Sequence, residues 1–188
     1  MKLRPVIAII GDANIPPDDE RHDFARLCGK LIIDSGWRLQ TGGLGGVMEA
    51  ACRGARSSKK WKDGDIIAIL PGFEPGAANS FSDVILPTGL GHGRNMLVVQ
   101  ADAVIAIGGG PGTLSELAFA WLSNKLIIAM RGPGWAGKLA DSPLDERRTR
   151  LKNIAGDIIY GADNAEEAIK LLTELLPVYK NCLPKKLR

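Results

Sequence analysis

One carboxylate of the sequence follows a glycine-rich turn closely enough to act on a bound anion. Residues 108–110 and Gly112 are glycines that come directly after a short apolar segment, and Thr113 and Glu116 begin an apolar helical pattern. Glycine allows the backbone to turn tightly and to approach a ligand, and the first N–H groups of a helix attract phosphate. The stretch therefore predicts an anion-binding loop with a carboxylate beside it.

The same residues also have a purely structural interpretation. With Thr113 as the N-cap and Glu116 three residues later, the two side chains form a capping box, in which each satisfies the other's backbone N–H group. The glycine spacing matches neither a P-loop, because no Gly-Lys-Ser/Thr follows, nor a strict G-x-G-x-x-G motif. The spacing alone leaves both interpretations open.

Two further turns have the same construction. Residues 11–14 follow an apolar run at 6–10, and the glycine-rich residues 41–46 follow a second short run at 37–40. Because ligands of parallel sheets bind at the carboxyl ends of the strands, we expect the three turns to converge on one site. The candidate ligand-binding residues in these turns are Gly11, Asp12, Asn14, Thr41, Gly42, Gly43, Gly45, Gly46, Met48, Gly109, Gly110, Gly112 and Thr113. Turn formation explains Asp12 and Asn14 nearly as well.

Short apolar segments alternate with helical patterns along the whole chain. Strands are predicted at residues 6–10, 37–40, 66–70, 84–86, 103–107, 126–130 and 158–160. Helices are predicted from a cap at Asp18 or Asp19 to Gly36, at 48–55, 96–101 and 113–122, and from a cap at Asn164 to Leu176, with loops at 57–65, 73–83 and 131–150. This alternation predicts an α/β fold: a single Rossmann-like, doubly wound domain over residues 1–188, with a mostly parallel sheet and a basic tail at 178–188.

The composition narrows the class of protein. A chain of 188 residues with 45% hydrophobic and 24% charged residues is typical of one globular domain, and its net charge of +3 is too small to indicate a nucleic-acid partner. Three cysteines without a C-x-x-C pair favour free thiols and no metal site. The first apolar run is too short for a signal peptide or a membrane span. We therefore expect a cytoplasmic protein with no membrane or nucleic-acid partner.

Three motifs in this order resemble the LONELY GUY family and its relatives, once labelled possible lysine decarboxylases. They are T-G-G-L-G-G-V-M-E-A at 41–50, G-H-G-R-N at 91–95 and G-G-G-P-G-T-L-S-E at 108–116, and the resemblance extends over about residues 6–130. It implies that these loops bind a nucleoside 5′-monophosphate and that Arg94 and Glu116 assist hydrolysis of its N-glycosidic bond, with no cofactor required. His92 and Asn95, on the same loop as Arg94, are further candidate ligand contacts.

The sequence departs from the hydrolases of that family in two motifs. It has Gly-Gly-Gly where they usually have P-G-G, and Arg94-Asn95 where they usually have R-K. In these features it is more similar to a sister branch that includes molybdenum-cofactor carrier proteins, which would use the same loops to hold a pterin phosphate without cleaving a bond. The ligand is thus expected to be a small phosphorylated molecule, and hydrolase and carrier both remain hypotheses.

The predicted helices at 96–101 and 114–122 carry more apolar residues than one sheet face needs. They include Met96, Leu97, Val98, Val99, Phe119, Ala120 and Trp121. A homodimer, or a homotetramer built from it, would cover the excess. The family resemblance also implies a dimer, with the site near the interface.

Overall fold

Seven strands form one sheet in the computed structural model, which describes residues 3–16, 18–146, 150–151 and 153–182. The strands are β1 (Val6–Gly11), β2 (Arg38–Thr41), β3 (Ile66–Leu70), β4 (Val84–Pro87), β5 (Ala103–Ile107), β6 (Leu126–Met130) and β7 (Tyr160–Ala162). Their order across the sheet is β4-β3-β2-β1-β5-β6-β7, and each neighbouring pair is parallel. The predicted Rossmann-like α/β fold is confirmed.

Six helices cover the two faces of this sheet within the described residues. They are α1 (Glu20–Asp34), α2 (Val47–Arg56), α3 (Asn95–Val98), α4 (Pro111–Leu122), α5 (Gly134–Leu139) and α6 (Ala165–Cys182). Successive residues of a strand point to opposite faces. Ile7 and Ile9 accordingly belong to the core under α1, α2 and α6, whereas Ala8 and Ile10 belong to the core under α3, α4 and α5. This is the double winding that the alternating pattern predicts.

The predicted caps of two helices are confirmed. The side chain of Asp19 accepts a hydrogen bond from the N–H of Arg21 at the start of α1. The side-chain oxygen of Asn164 accepts one from the N–H of Glu167 at 2.9 Å, at the start of α6. Each cap satisfies a backbone donor that the first turn of a helix leaves without an intrahelical partner.

Several element boundaries differ from the prediction. The last strand begins at Tyr160 and not at residue 158, because Ile159 forms an antiparallel bridge with Ser142 instead of pairing with β6. A 3₁₀ turn, Gly91–Arg94, precedes α3, which is shorter than expected. The predicted loop at 131–150 contains α5.

The C-terminal part of the chain is more helical than predicted. Because α6 continues to Cys182, residues 178–182 of the expected tail belong to a helix. The remaining tail residues, 183–188, lie outside the described residues. No helix in the described part of the chain is long and apolar enough to cross a membrane.

The order of the strands reverses between β1 and β5. β2, β3 and β4 extend the sheet to one side of this point, and β6 and β7 extend it to the other. The connections leaving β1 and β5 run to helices on opposite faces, so a crevice opens between them at the carboxyl ends of the strands. The turns selected from the sequence meet at this crevice.

Candidate functional site

A cleft of about 220 Å³ lies where the strand order reverses, and it is called the switch-point cleft below. Its walls come from the turn after β1, the turn between β2 and α2, the 3₁₀ turn before α3, and the start of α4. The lining residues are Gly11, Asp12, Ala13, Leu44, Met48, His92, Arg94, Asn95, Gly110, Pro111, Gly112, Thr113 and Glu116. The predicted convergence of three turns on one crevice is thus present, and a fourth segment joins them.

The start of α4 differs from a capping box. Gly110 is the N-cap, Pro111 is the first helical residue, and no side chain caps the helix. Proline favours this first position because its fixed φ suits a helix and its missing N–H is not needed there. Thr113 is therefore inside the first turn, and the capping-box interpretation of Thr113 and Glu116 is wrong. Gly112 and Thr113 line the cleft, and their N–H groups have no intrahelical partner.

Arg94 and Glu116 form a buried ion pair at the cleft. Nη1 of Arg94 lies 3.1 Å from Oε1 of Glu116, and their side chains are only 9% and 8% exposed. Burial raises the pKa of Glu116 to about 7, although the guanidinium of Arg94 partly offsets this effect. Burial also lowers the pKa of Arg94, and the carboxylate counteracts it. The carboxyl group is thus able to gain or lose a proton near neutral pH.

The guanidinium of Arg94 also keeps one donor unused. Among the described residues, its Nε is buried and has no hydrogen-bond partner. A buried donor without a partner costs about 1–3 kcal/mol, and more when the group is charged. An acceptor atom of a bound ligand would remove this cost. Arg94 is therefore suited to bind an anionic or carbonyl-bearing molecule in the cleft.

Gly42 determines how closely the backbone after β2 approaches Arg94. A Cβ atom on Gly42 would lie 2.6 Å from Nη2 and 2.8 Å from Nη1 of Arg94, and 2.8 Å from the sulfur of Met48. These separations are shorter than side-chain contacts allow. Gly42 does not line the cleft, but it leaves the space that the guanidinium occupies.

Asp12 holds the glycine turn after β5. Its carboxylate accepts the N–H of Gly109 at 2.7 Å and pairs with the guanidinium of Arg21. On the other side of the turn, the N–H groups of Trp135 and Ala136 at the start of α5 donate to the carbonyls of Gly109 and Gly108, both at 2.9 Å. The turn is thus fixed from two sides, and the N–H of Gly109 is already used within the protein.

Asn95 and His92 have different positions at the cleft. The buried side chain of Asn95 donates to the hydroxyl of Ser115 at 2.8 Å, which connects the turn carrying Arg94 to α4. His92 is exposed and lies at the rim.

The structure brings ten of the predicted site residues to the cleft and leaves the others outside it. Those that line it are Gly11, Asp12, Met48, His92, Arg94, Asn95, Gly110, Gly112, Thr113 and Glu116, and those that do not are Asn14, Thr41, Gly42, Gly43, Gly45, Gly46 and Gly109. Asn14 is exposed, and Thr41 is buried with its hydroxyl accepting the N–H of Gly43. Gly46 is the N-cap of α2, where a Cβ would lie 2.4 Å from the carbonyl oxygen of Asp12.

Sequence reasoning missed Ala13, Leu44 and Pro111, which also line the cleft. Each is inside a turn that the glycine pattern had already selected, but an apolar side chain carries no chemical signature of its own. In the part of the chain that the structure describes, no three His, Cys, Asp or Glu residues come together as a metal site requires.

Comparison with known proteins places the chain in a family. Residues 4–168 match the model of the SLOG cluster4 family. The chain belongs to the SLOG cluster4 family. It is 41% identical, over 134 residues, to an uncharacterized protein of Archaeoglobus fulgidus, and this match covers 71% of the chain and 83% of that protein.

Two solved structures share the fold of this SLOG cluster4 protein at higher coverage. The molybdenum cofactor binding protein of the phototrophic bacterium Rippkaea orientalis is 30% identical, with a TM-score of 0.75 and coverage of 94% of this chain and 99% of that one. The molybdenum cofactor carrier protein of Chlamydomonas reinhardtii is 26% identical, with a TM-score of 0.72 and coverage of 93% and 99%. The resemblance to the superfamily of LONELY GUY proteins and molybdenum-cofactor carriers is confirmed.

Proposed function

We propose that this SLOG cluster4 protein binds a phosphorylated pterin of the molybdenum-cofactor type in the switch-point cleft and carries it without cleaving a bond. The observation that carries the proposal is the buried guanidinium of Arg94, whose Nε has no partner among the described residues. The similarity to proteins that bind or carry molybdenum cofactor, over more than nine-tenths of the chain, supports this ligand over a nucleotide.

The chemistry of the lining residues suits such a ligand. The first N–H groups of α4, at Gly112 and Thr113, would hold the phosphate, because a helix N-terminus favours an anion. Glu116 accepts hydrogen bonds when ionised and Arg94 donates them, so the pair matches the mixed donor and acceptor edge of a pterin. Leu44 and Met48 supply apolar contacts for its rings. The molybdenum would be part of the carried ligand, and its chemistry would not take place in this cleft.

Hydrolysis of a nucleoside 5′-monophosphate is the second candidate function. The observation in its favour is the carboxyl group of Glu116, which has a pKa of about 7 and lies in contact with a cation inside the cleft. A group that titrates near the working pH is well suited to activate water, and a carboxylate stabilises the positive charge that develops on ribose. The products would be the free base and ribose 5-phosphate, and no cofactor would be needed.

One set of measurements separates the two functions. Calorimetry with a phosphorylated pterin and with a panel of nucleoside monophosphates measures binding, and release of ribose 5-phosphate measures turnover. Tight pterin binding without turnover of any monophosphate supports the carrier. Turnover that falls by about a hundredfold or more in Glu116→Gln supports the hydrolase. Absence of binding by every phosphorylated ligand contradicts both.

Two variants test the assignment of the cleft itself. Gly112→Val should keep the fold, because an added Cβ would meet no atom within 4 Å outside its own helical turn, yet it should abolish binding by filling the space at the helix start. Arg94→Gln should weaken binding at least tenfold, since the charge acts on the bound ligand directly. Arg53→Gln is the matched control, because the side chain of Arg53 is 56% exposed and lies outside the cleft lining. Unchanged affinity in Gly112→Val would remove the loop from the site.

A further inference from the structure

A second and larger cleft lies at the opposite end of the sheet. The adjacent strands β2, β1, β5 and β6 begin side by side there, and the cleft at their amino ends has a volume of about 660 Å³. Neighbouring strands are about 4.8 Å apart. The distance across the four strands, from Arg38 at the start of β2 to Lys125 just before β6, is therefore roughly 14 Å. This amino-end cleft accommodates a small molecule and shares no lining residue with the switch-point cleft.

Cations outnumber carboxylates around the amino-end cleft. Arg4, Arg38, Lys125 and Lys180 line it together with Asp102. Asp102 is fully engaged by the protein: one oxygen accepts the N–H of Val6 at 2.7 Å and the other pairs with Lys180 at 2.8 Å. Its charge is thus largely neutralised by Lys180. Of the other three cations, Arg4 pairs with Asp65, which leaves Arg38 and Lys125.

Lys125 and Arg38 are weakly paired within the protein. The ammonium of Lys125 donates to the carbonyl of Gln100 at a long 3.3 Å, and no carboxylate oxygen of the described residues lies within 4.0 Å of it. Lys125 is half-buried, and this burial lowers the pKa of its ammonium group. Nε of Arg38 is 3.9 Å from Asp65, a carboxylate that Arg4 already binds at 2.5 Å. Both cations have capacity for another anion.

Apolar surface separates these charges. The accessible apolar residues of the lining are Val6, which is half-buried at the start of β1, and Leu3, which is 78% exposed. A fully hydrated inorganic ion would leave this surface uncovered, whereas a molecule with an apolar body would cover it.

We propose that the amino-end cleft binds a small amphipathic anion, with an apolar body against Val6 and Leu3 and a carboxylate, sulfonate or phosphate group against Lys125 and Arg38. This site is independent of the ligand and chemistry at the switch-point cleft. Arg38 is the first residue of β2 and Lys125 directly precedes β6, so the sheet fixes the spacing of their backbones.

The probe for this test is 8-anilinonaphthalene-1-sulfonate, which combines an apolar body with one sulfonate. We expect saturable binding of the dye to the full chain, with an affinity that falls about tenfold in Lys125→Gln and in Arg38→Gln. Lys170→Gln is the matched control, because Lys170 is an exposed lysine of α6 outside the cleft lining. Arg38→Gln, at an exposed side chain, keeps the test valid if Lys125→Gln fails to fold.

Nuclear magnetic resonance locates the dye. The amide signals of Asp102, Lys125 and Asn181 should shift on titration, whereas those of Gly110, Gly112 and Thr113 in the switch-point cleft should not. Equal dye affinity in all three variants, absence of saturable binding, or shifts confined to the switch-point residues would each overturn the proposal.

Discussion

The buried pair of Arg94 and Glu116 gives one carboxyl group an unusual proton affinity. Its pKa is raised from 4.5 to about 7, chiefly because burial disfavours the charged form. Between these two values the folded protein holds a proton that the unfolded chain has released. The free energy of unfolding therefore falls as the pH rises through this window, and it stays low above it.

Replacing Glu116 by Gln should remove this pH dependence. Gln has no proton to lose and still offers an oxygen to Arg94, so the wild type should lose about 3 kcal/mol of unfolding free energy relative to Glu116→Gln between about pH 4.5 and pH 7.5. Urea unfolding at a series of pH values measures the difference. Glu174→Gln makes the same change on an exposed residue of α6 and serves as the control. Parallel pH curves for wild type and Glu116→Gln would contradict the raised pKa.

Gly42 should be required for ligand binding although it does not line the cleft. In Gly42→Ala the added Cβ would lie 2.6 Å from Nη2 of Arg94, so the guanidinium must move. We expect ligand affinity to fall about tenfold and the free energy of unfolding to fall by about 1–2 kcal/mol. Gly76→Ala is the control, because a Cβ at Gly76 meets no atom within 4 Å. Wild-type affinity in Gly42→Ala would show that the position of Arg94 is not critical.

At the scale of elements, α5 matters because it supports the glycine turn after β5. Gly134 at its start has φ +77°, and a Cβ there would lie 2.4 Å from the carbonyl carbon of Gly108 and 2.7 Å from the nitrogen of Gly109. Both neighbours are backbone atoms that hydrogen bonds from α5 and Asp12 hold in place. No side-chain rotation relieves such a contact.

Gly134→Ala should accordingly destabilise the protein more than a positive φ alone explains. Gly156 provides the comparison, since it has φ +69° but a Cβ on it would meet no atom within 4 Å. We expect Gly156→Ala to cost about 1–2 kcal/mol of unfolding free energy from backbone strain, and Gly134→Ala to cost clearly more and to weaken ligand binding as well. Chemical denaturation and calorimetry measure the two effects. Equal losses in the two variants would show that α5 does not control the turn.

The sequence was sufficient to predict the elements whose signals are local. β5 and β6 have the predicted bounds because each is a continuous apolar run between turn residues. α5 was missed because it follows Pro133 and contains two glycines, and its first N–H groups bind carbonyls that are distant in the sequence. The contact between Asp12 and Gly109 spans 97 residues and has no local signal either. The site was therefore predictable as a set of turns, and its internal contacts were not.

At the scale of the whole molecule, the apolar surface available for the expected dimer is smaller than the sequence predicts. The sequence pattern places Val98, Val99, Ala120 and Trp121 in the interface. These four residues are buried within the chain itself, so they cannot contribute to it. Met96 and Leu122 remain 47% and 70% exposed. They are the exposed apolar residues of the two helices from which the dimer, or a tetramer built from it, was predicted.

Light scattering tests this assembly. We expect a mass of at least about 40 kDa at micromolar concentration, twice the 20.1 kDa of the chain. Met96→Glu should reduce the mass by placing a charge in the interface, whereas Val178→Glu should not, because Val178 is an exposed residue of α6, outside these helices. A mass of about 20 kDa for the wild type would refute the prediction.

The central position of β1 has a consequence for the chain during synthesis. One edge of β1 pairs with β2, which follows it in the chain after the crossover helix α1, but the other edge pairs with β5, where Ile7 lies opposite Ala103. A nascent chain that has emerged only as far as Pro87 can form four strands and leaves that apolar edge unpaired. Open strand edges bind other chains readily. Products of interrupted translation should therefore aggregate through the unpaired edge of β1. They should also lack the switch-point cleft, because Arg94 and Glu116 are synthesised after β4.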